Sequence, residues 1–258
     1  MTKSRFWADL TTLDFAGLDP ASTVAVLPVA ATEQHGPHLP LSVDQTIADA
    51  IVAAALPSIP DALPALFLPT QAIGYSPEHL KFRGTLTLSF ETVLATWIEI
   101  GGCVAAAGVR KLVLFNTHGG QVSLLDIAAR ELRTRHDLIV YGASWWNLPL
   151  GDAVNGLFTP QEHRFGVHAG EIETSIMLAA RAQFVDMARA ADFKSASQAR
   201  AAANPILGNG VSAKLGWQMQ DYNAHGAAGN AAAATAEKGR VVLNAAGEQL
   251  ALLLQEIS

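Results

Sequence analysis

Uninterrupted apolar runs alternate along the chain with segments in which apolar residues recur at helical spacing. The uninterrupted runs are bounded by turn-forming residues, which is typical of strands buried on both faces. They cover Thr23–Ala30, Ala65–Ala72, Lys111–Thr117 and Leu138–Ala143. The helical segments cover Val43–Leu56, Phe90–Ala107, Gln121–Arg135, Ile172–Phe184 and Ala234–Ile257. This alternation predicts a layered α/β fold, in which right-handed crossovers build a mainly parallel sheet flanked by helices.

Length and composition indicate one domain. The 258 residues contain no Pro/Ser-rich linker and no repeated unit, so we expect a single domain over residues 1–258. Hydrophobic residues make up 50% of the chain. The apolar runs are nevertheless rich in alanine and are broken by charge or proline before they reach bilayer length, so no membrane partner is expected.

Charge narrows the classes of function. The formal net charge is -6 and only 17 lysines and arginines are scattered along the chain, whereas a nucleic-acid binder needs a clustered positive surface. We therefore expect no nucleic-acid partner. The N-terminus lacks an apolar core of signal-peptide length, which predicts a cytoplasmic protein. The single cysteine, Cys103, cannot form an internal disulfide.

Potential metal ligands follow the predicted strands. Glu33 and His35 come directly after the first strand, and Asp44 lies in the same stretch. His118 follows the third strand, and Glu173 lies in a His-Ala-Gly-Glu-Ile-Glu motif. Ligands in parallel sheets bind beyond the carboxyl ends of the strands, where these side chains would meet. Carboxylates and imidazoles together suit Zn²⁺, Mn²⁺ or Fe²⁺, which predicts a metal-dependent hydrolase.

Five motifs, in the same order along the chain, resemble those of the creatininase (creatinine amidohydrolase) family. They are Glu33–Asp44, Gly74–Ser89, Asn116–Gly120, His168–Ser175 and Ala234–Gly239. The resemblance covers nearly the full length and implies a creatininase-like fold. It also implies two divalent ions, zinc before manganese or iron, hydrolysis of an amide-type C–N bond, and a homo-oligomer such as a hexamer.

The family's ligands carry over position by position. The resemblance implies that one ion is bound by Glu33 and His118 and the other by His35, with Asp44 bridging both. In creatininase a glutamate lies two positions after the third-strand histidine, whereas this chain has Gly120 there. The resemblance therefore leaves Glu173 as the best candidate for the remaining carboxylate.

Amide hydrolysis at this site would need both the metal ions and a proton donor. Two ions can activate a water and polarise an amide carbonyl, while a histidine near its ordinary pKa of about 6.5 can protonate the departing nitrogen. The resemblance favours His168 for that proton transfer. Glu173 is the second catalytic candidate, and Glu171 competes with it as an acid or a supporting group.

Further positions are expected to face the substrate. These are Ser76, Glu78, His79, Gly119 and Arg164. Ser76 would hydrogen-bond the substrate or the attacking water, and Glu78 and His79 would orient their loop. Gly119 and Arg164 depart from creatininase itself, which predicts a substrate other than creatinine. A guanidinium at the pocket edge would favour an anionic small molecule.

Three functions stay open at this point. The favoured one is hydrolysis of a small cyclic amide, a formamide or a related substrate. A peptide-processing hydrolase of the same family would need an open groove. A non-catalytic, metal-stabilised binding protein would hold its ions without an exchangeable water.

Overall fold

The structure, a computed structural model, describes residues 4–258. Its centre is a parallel sheet of four strands in the order β2-β1-β3-β4. The strands are β1 (Val24–Val29), β2 (Ala65–Phe67), β3 (Lys111–Asn116) and β4 (Ile139–Ser144). β1 and β3 pair over their full lengths, from Val24 opposite Lys111 to Val29 opposite Asn116. The predicted α/β class with a mainly parallel sheet is confirmed.

Helices and one small ribbon complete the fold. The helices are α1 (Thr12–Ala16), α2 (Val43–Ala55), α3 (Phe90–Ala106), α4 (Val122–His136), α5 (Asp152–Asn155), α6 (Pro160–Phe165), α7 (Glu171–Arg181), α8 (Ser197–Ala203) and α9 (Ala236–Ile257). β5 (Asp192–Phe193) and β6 (Gly229–Asn230) form a two-stranded antiparallel ribbon. The five long helices correspond to the five predicted helical segments.

The second predicted strand is shorter than its apolar run. β2 ends at Phe67, whereas the run continues to Ala72. Pro69 has no N–H to donate to a neighbouring strand, so the regular ladder stops before it. Gln71 resumes contact with β1 through its N–H, which donates to the carbonyl of Pro28 at 2.9 Å.

Side chains of alternate strand residues enter two separate cores, one on each face of the sheet. Val24 and Val26 of β1 pack in the core that also contains buried residues of α2, α7 and α9. Leu27 faces the opposite core, which is built with α3 and α4. Burying one such side chain fully stabilises the fold by about 1.5–3 kcal/mol. These two cores fix the strand ends, from which the polar loops extend.

The two central strands, β1 and β3, bring distant segments together at the carboxyl-terminal end of the sheet. The loop after β1 carries Glu33 and His35, and His118 follows β3 by two residues. The hydroxyl of Thr117 donates to the carbonyl of Asp44 at 2.8 Å, which ties the start of α2 to the end of β3. No helix within residues 4–258 combines the length and apolarity needed to cross a membrane.

Candidate metal centre

The five potential metal ligands predicted from the sequence lie together. Glu33, His35, Asp44 and His118 are each at most 2% exposed, and Glu173 borders them from the first turn of α7. They come from the β1 loop, the start of α2, the end of β3 and α7. The fold therefore gathers residues separated by as many as 140 positions into one cluster.

The cluster divides into two halves that share Asp44. In the first half-site, His118 Nδ1 lies 3.2 Å from Glu33 Oε2 and 3.6 Å from Asp44 Oδ2. In the second half-site, His35 Nε2 lies 3.7 Å from Asp44 Oδ1 and 3.9 Å from Glu173 Oε2. The two oxygens of Asp44 thus face different half-sites, which is the arrangement of a bridging carboxylate.

Unpaired polar atoms indicate that cations fit this cluster. Glu33 Oε2, His35 Nε2 and Asp44 Oδ2 are buried and have no hydrogen-bond partner in the described part of the chain. A buried polar atom left unpaired costs about 1–3 kcal/mol. Two ligands bound at about 2.0–2.2 Å to one tetrahedral zinc ion lie roughly 3.3–3.6 Å apart, close to the separations within both half-sites. The donor set and its spacing fit two divalent ions.

Backbone carbonyls set which imidazole nitrogen is free to bind metal. His35 Nδ1 lies 3.0 Å from the carbonyl oxygen of Glu33, and His118 Nε2 lies 3.0 Å from that of Tyr75. A carbonyl oxygen only accepts, so each of these nitrogens carries the proton. The opposite nitrogens, His35 Nε2 and His118 Nδ1, are left unprotonated in the neutral rings and face the carboxylates. Such carbonyl partners orient metal-binding histidines in many proteins.

The carboxylates and imidazoles strongly shift one another's pKa values. Burial alone would lower the pKa of both histidines, but Asp44 raises the pKa of His35 to about 9, and Glu33 raises that of His118 to about 10. Burial raises the pKa of Glu173 to about 7. Burial and the nearby Glu33 charge raise the pKa of Asp44. Without a cation, protons therefore balance the negative charge that an ion would otherwise neutralise.

His79 contacts the metal cluster directly, in addition to belonging to the predicted substrate-side loop. The N–H of Gly36 donates to Gln34 Oε1 at 3.0 Å, which points the amide Nε2 of Gln34 at His79 Nδ1, 2.7 Å away. His79 Nε2 therefore carries the proton and faces Glu33 Oε1 at 3.2 Å. This contact occupies one oxygen of Glu33 and leaves the other for a cation. Sequence reasoning missed the role of Gln34.

His168 lies beside the same carboxylate. Its Nε2 is 2.7 Å from the carbonyl oxygen of Gln34, so Nε2 is the protonated nitrogen. The unprotonated Nδ1 lies 3.7 Å from Glu33 Oε1. Burial lowers the pKa of His168 well below its ordinary value, and the nearby His35 and His79 lower it further. The neutral ring thus presents a proton acceptor to the cluster.

The two glutamates of α7 point to different partners. Glu173 Oε2 faces His35 and also accepts a hydrogen bond from the backbone N–H of Ala169. Ala169 has φ = 52°, a left-handed conformation that is strained for alanine, and this hydrogen bond supports it. Glu171 instead forms an ion pair with Lys238 at the start of α9. Glu171 therefore links two helices, whereas Glu173 faces the cluster.

A further buried carboxylate, which sequence reasoning did not single out, holds α7 in place. Glu162 in α6 accepts hydrogen bonds from the backbone N–H of Glu171 at 2.6 Å and of Asn230 at 2.9 Å. Its sequence signal is weak, because a glutamate three residues after Thr159 reads as an ordinary helix-capping residue.

A cavity of about 470 Å³ opens over the cluster. Glu33, Asp44, His118, His168 and Glu173 contribute to its lining, together with Glu78, His79 and Gly119. Most of the remaining wall is apolar or aromatic; it includes Trp145, Trp146, Leu148, Phe158, Val167 and Trp217. The lining contains neither lysine nor arginine.

Two residues expected to face the substrate lie elsewhere. Arg164 is exposed, does not line the cavity, and donates from its guanidinium to the carbonyl of Gly208 at 3.1 Å. It cannot contact a molecule in the cavity without a change of conformation. Ser76 is fully buried and also outside the lining; its Oγ lies 3.2 Å from His118 Nε2. Ser76 therefore contacts His118 at Nε2, on the side of the ring opposite the metal-facing Nδ1.

Known proteins resemble this chain in sequence and fold. The Creatininase family model, described as creatinine amidohydrolase, matches residues 8–254. The creatinine amidohydrolase of Pseudomonas putida is 32% identical over 212 residues, which are 76% of this chain and 80% of that protein. The mycofactocin precursor peptide peptidase of Mycobacterium tuberculosis is 35% identical over 169 residues, which are 62% of this chain. The match spans only 60% of that peptidase's length.

Solved structures agree with the sequence relatives. A creatininase carrying a tryptophan-to-phenylalanine mutation superimposes with a TM-score of 0.77 at 28% identity, covering 98% of both chains. A putative creatinine amidohydrolase from Bacteroides fragilis has a TM-score of 0.78 at 25% identity and covers 100% of this chain and 97% of its own. Other similar creatininase structures are described as Zn-Zn and Mn types. The chain therefore belongs to the creatininase family.

Proposed function

We propose that this chain is a metal-dependent hydrolase that uses two divalent ions to cleave an amide-type C–N bond. The observation that carries the proposal is the placement of Asp44, whose two oxygens face a Glu33–His118 half-site and a His35–Glu173 half-site. Zinc is the first candidate, with manganese or iron as alternatives, because the donors are mixed oxygen and nitrogen and similar creatininases are of Zn-Zn and Mn types.

The ions would supply Lewis acidity, which lowers the pKa of water and polarises a carbonyl oxygen. The chain supplies the proton transfers. His168 Nδ1 is unprotonated and lines the cavity, so it can take a proton from the attacking water. As the water oxygen bonds to the carbonyl carbon and the C–N bond breaks, the same nitrogen can return the proton to the departing amine. Glu173 would hold the second ion against Asp44.

The cavity favours an uncharged, apolar substituent next to the scissile bond. Trp145, Trp146 and Phe158 are among its walls, and no lysine or arginine lines it. An anionic group far from the metal cluster would therefore be buried without a cationic partner, which is costly. Because Arg164 lies outside the cavity, the anionic substrate expected from the sequence loses its proposed recognition group.

Peptide processing is the second candidate. It is favoured by the similarity to the mycofactocin precursor peptide peptidase and by walls that could accept an aromatic or branched side chain. The first candidate, a small cyclic amide or formamide, needs only part of the cavity. Both use the same metal cluster and differ in the amine that departs.

A substrate panel after metal exchange tests the proposal. The protein is treated with a chelator, reloaded separately with zinc, manganese or iron, and assayed on cyclic amides, formamides and short peptides with apolar side chains. We expect turnover that is lost with the chelator and restored by a divalent ion. Bound metal without turnover of any substrate would favour the non-catalytic binding protein instead. Activity that survives complete removal of metal would contradict the proposal.

A further inference from the structure

Gly120 lies where a side chain would collide with Glu78. A β-carbon built on Gly120 would come 2.7 Å from Glu78 Cδ, still closer to Glu78 Oε1, and 2.6 Å from His118 Nε2. A β-carbon on the adjacent Gly119 would meet nothing within 4 Å. The space beside Gly120 is therefore filled by the carboxylate of Glu78, which reaches it from a short 3-10 turn, Pro77–His79.

One oxygen of the carboxylate in this space has no hydrogen-bond donor. Glu78 is 5% exposed, and its Oε1 is buried with no hydrogen-bond partner among residues 4–258. The nearest imidazole nitrogen, His118 Nε2, lies 3.4 Å away but directs its proton to the carbonyl of Tyr75. A buried carboxylate oxygen without a donor is costly, and a cation beside it would remove that cost.

The same carboxylate borders the first half-site. Ligand atoms of Glu33, Glu78 and His118 all lie within 4.8 Å of one another, and Glu78 lines the cavity over the cluster. The resemblance to creatininase implies that a glutamate stands in that enzyme at the position equivalent to Gly120. The present chain lacks that side chain and places another carboxylate in the space it would enter.

We propose that Glu78 is a metal ligand on the Glu33–His118 side of the centre, taking the place of a glutamate at position 120. This inference rests on the proposed two-ion function. It gives the first half-site four protein donors, namely Glu33, Asp44, Glu78 and His118. The second half-site keeps three, which is the number that leaves an open position at catalytic zinc sites.

The assignment is tested by moving the carboxylate from position 78 to position 120 and measuring zinc binding. The full chain is compared with Glu78→Ala, Glu78→Gln, Gly120→Glu and the double variant Glu78→Ala/Gly120→Glu. Each is dialysed with zinc against a competing chelator, and bound zinc is counted by elemental analysis and titrated calorimetrically. Glu99→Ala, which removes an exposed carboxylate on α3, is the matched control.

We expect two zinc ions in the wild-type chain and in Glu99→Ala. Both Glu78 variants should bind one of the two ions at least about tenfold more weakly, by analogy with the loss seen when groups supporting a metal site are removed. Gly120→Glu alone should also lose affinity, because its new side chain meets Glu78. The double variant should recover most of the lost affinity, since only one carboxylate then enters the space.

The outcomes separate this inference from the proposed function. If the Glu78 variants keep both ions at wild-type affinity, the ligand assignment is overturned even if turnover falls. If the losses in the two single variants simply add in the double variant, the two positions do not share one place and the inference also fails. A wild-type chain that binds no zinc, manganese or iron would instead overturn the two-ion function itself.

Discussion

At the scale of single residues, the site depends on how each ligand is held before a metal arrives. His35 and His118 each use one ring nitrogen to donate to a backbone carbonyl, and Glu33 uses one oxygen to accept from His79. The remaining atoms point at Asp44 or at each other. Preorganisation of this kind reduces the entropy lost on binding an ion.

Asp44→Asn tests the shared ligand. The amide keeps the size of the side chain but removes the negative charge from both half-sites. We expect the affinity for both ions to fall by more than about 100-fold, beyond the effect of losing a supporting group. Zinc should therefore raise the melting temperature of this variant less than that of the wild-type chain.

The readouts for Asp44→Asn are zinc content after dialysis and the melting temperature with and without zinc. Asp49→Asn, at an exposed position on the same helix, is the control. An Asp44→Asn protein that retains two tightly bound zinc ions would show that this carboxylate does not bridge.

Zinc affinity should depend on pH in a defined direction. In the metal-free site the pKa of His35 is raised to about 9 and that of His118 to about 10, so both rings hold an extra proton at pH 7. These raised values stabilise the metal-free fold fully below about pH 6.5, and the stabilisation is lost as pH rises through 9 to 10. Zinc must displace the same protons.

We therefore expect zinc to bind more tightly, and to raise the melting temperature more, at pH 8 than at pH 6. Calorimetry in two buffers of different ionisation enthalpy should show proton release on binding at pH 7. Zinc binding that is independent of pH over this range, with no proton release, would mean that the two imidazoles are not ligands.

Local sequence identified most of the cluster but not every contact. Glu33, His35 and Asp44 stand close together in one loop and helix start, so their convergence was predictable. Arg164 was expected to contact the substrate, but the structure places it outside the cavity lining, and nothing near it in sequence indicates its hydrogen bond to Gly208, 44 positions away. The relation between Glu78 and Gly120 likewise depends on two distant segments and appears only in three dimensions.

At the scale of elements, the length of each helix or strand decided whether the sequence could predict it. The long helices and the strands β1, β3 and β4 come from runs long enough to show a period or a continuous apolar stretch. The short helices α5, α6 and α8 and the β5–β6 ribbon are two to seven residues long, which is too short for periodicity to be read. Their positions follow from tertiary contacts such as those of Glu162.

Close packing of α9 on α2 gives a test at this scale. A β-carbon on Gly247 would lie 2.6 Å from the backbone carbon of Ala54 and 2.8 Å from the backbone nitrogen of Ala55. Backbone cannot move aside as a side chain can. Gly247→Ala should therefore destabilise the fold by about 1–3 kcal/mol, although the same change in an open helix stabilises it by about 1 kcal/mol.

Denaturant unfolding measures this difference, with Gly102→Ala as the matched control. On α3, a β-carbon at Gly102 would meet only the ring of His136 at 3.1 Å, and that side chain can rotate. The control should be neutral or stabilising. Equal stability changes in the two variants would mean that α9 and α2 are not packed as closely as described.

At the scale of the whole molecule, the two cores hold the sheet in place, and the polar loops after the carboxyl ends of its strands form the floor of the cavity. The fold class follows from the sequence because the apolar runs of β1, β2 and β3 are buried on both faces, whereas the edge strand β4 is largely exposed. The cytoplasmic location and the extent of the domain stay predictions, and residues 1–3 lie outside the described part of the chain.

Oligomerisation, expected from the family resemblance, is also still a prediction. β4 lies at the edge of the sheet and exposes Ile139 and Tyr141, which are 43% and 45% exposed. An edge strand with exposed apolar side chains favours contact with another chain. Light scattering coupled to size-exclusion chromatography should give a mass that is a multiple of the protomer, with a hexamer as the family expectation. A monomeric mass at micromolar concentration would contradict it.

The central claim is that Asp44 joins two cations at the floor of this cavity. Anomalous X-ray scattering at the zinc edge, from crystals of the zinc-loaded protein, tests it most directly. We predict two peaks roughly 3.5–4 Å apart, one beside Glu33 and His118 and the other beside His35 and Glu173, with Asp44 between them. A single peak, or peaks away from Asp44, would contradict the claim.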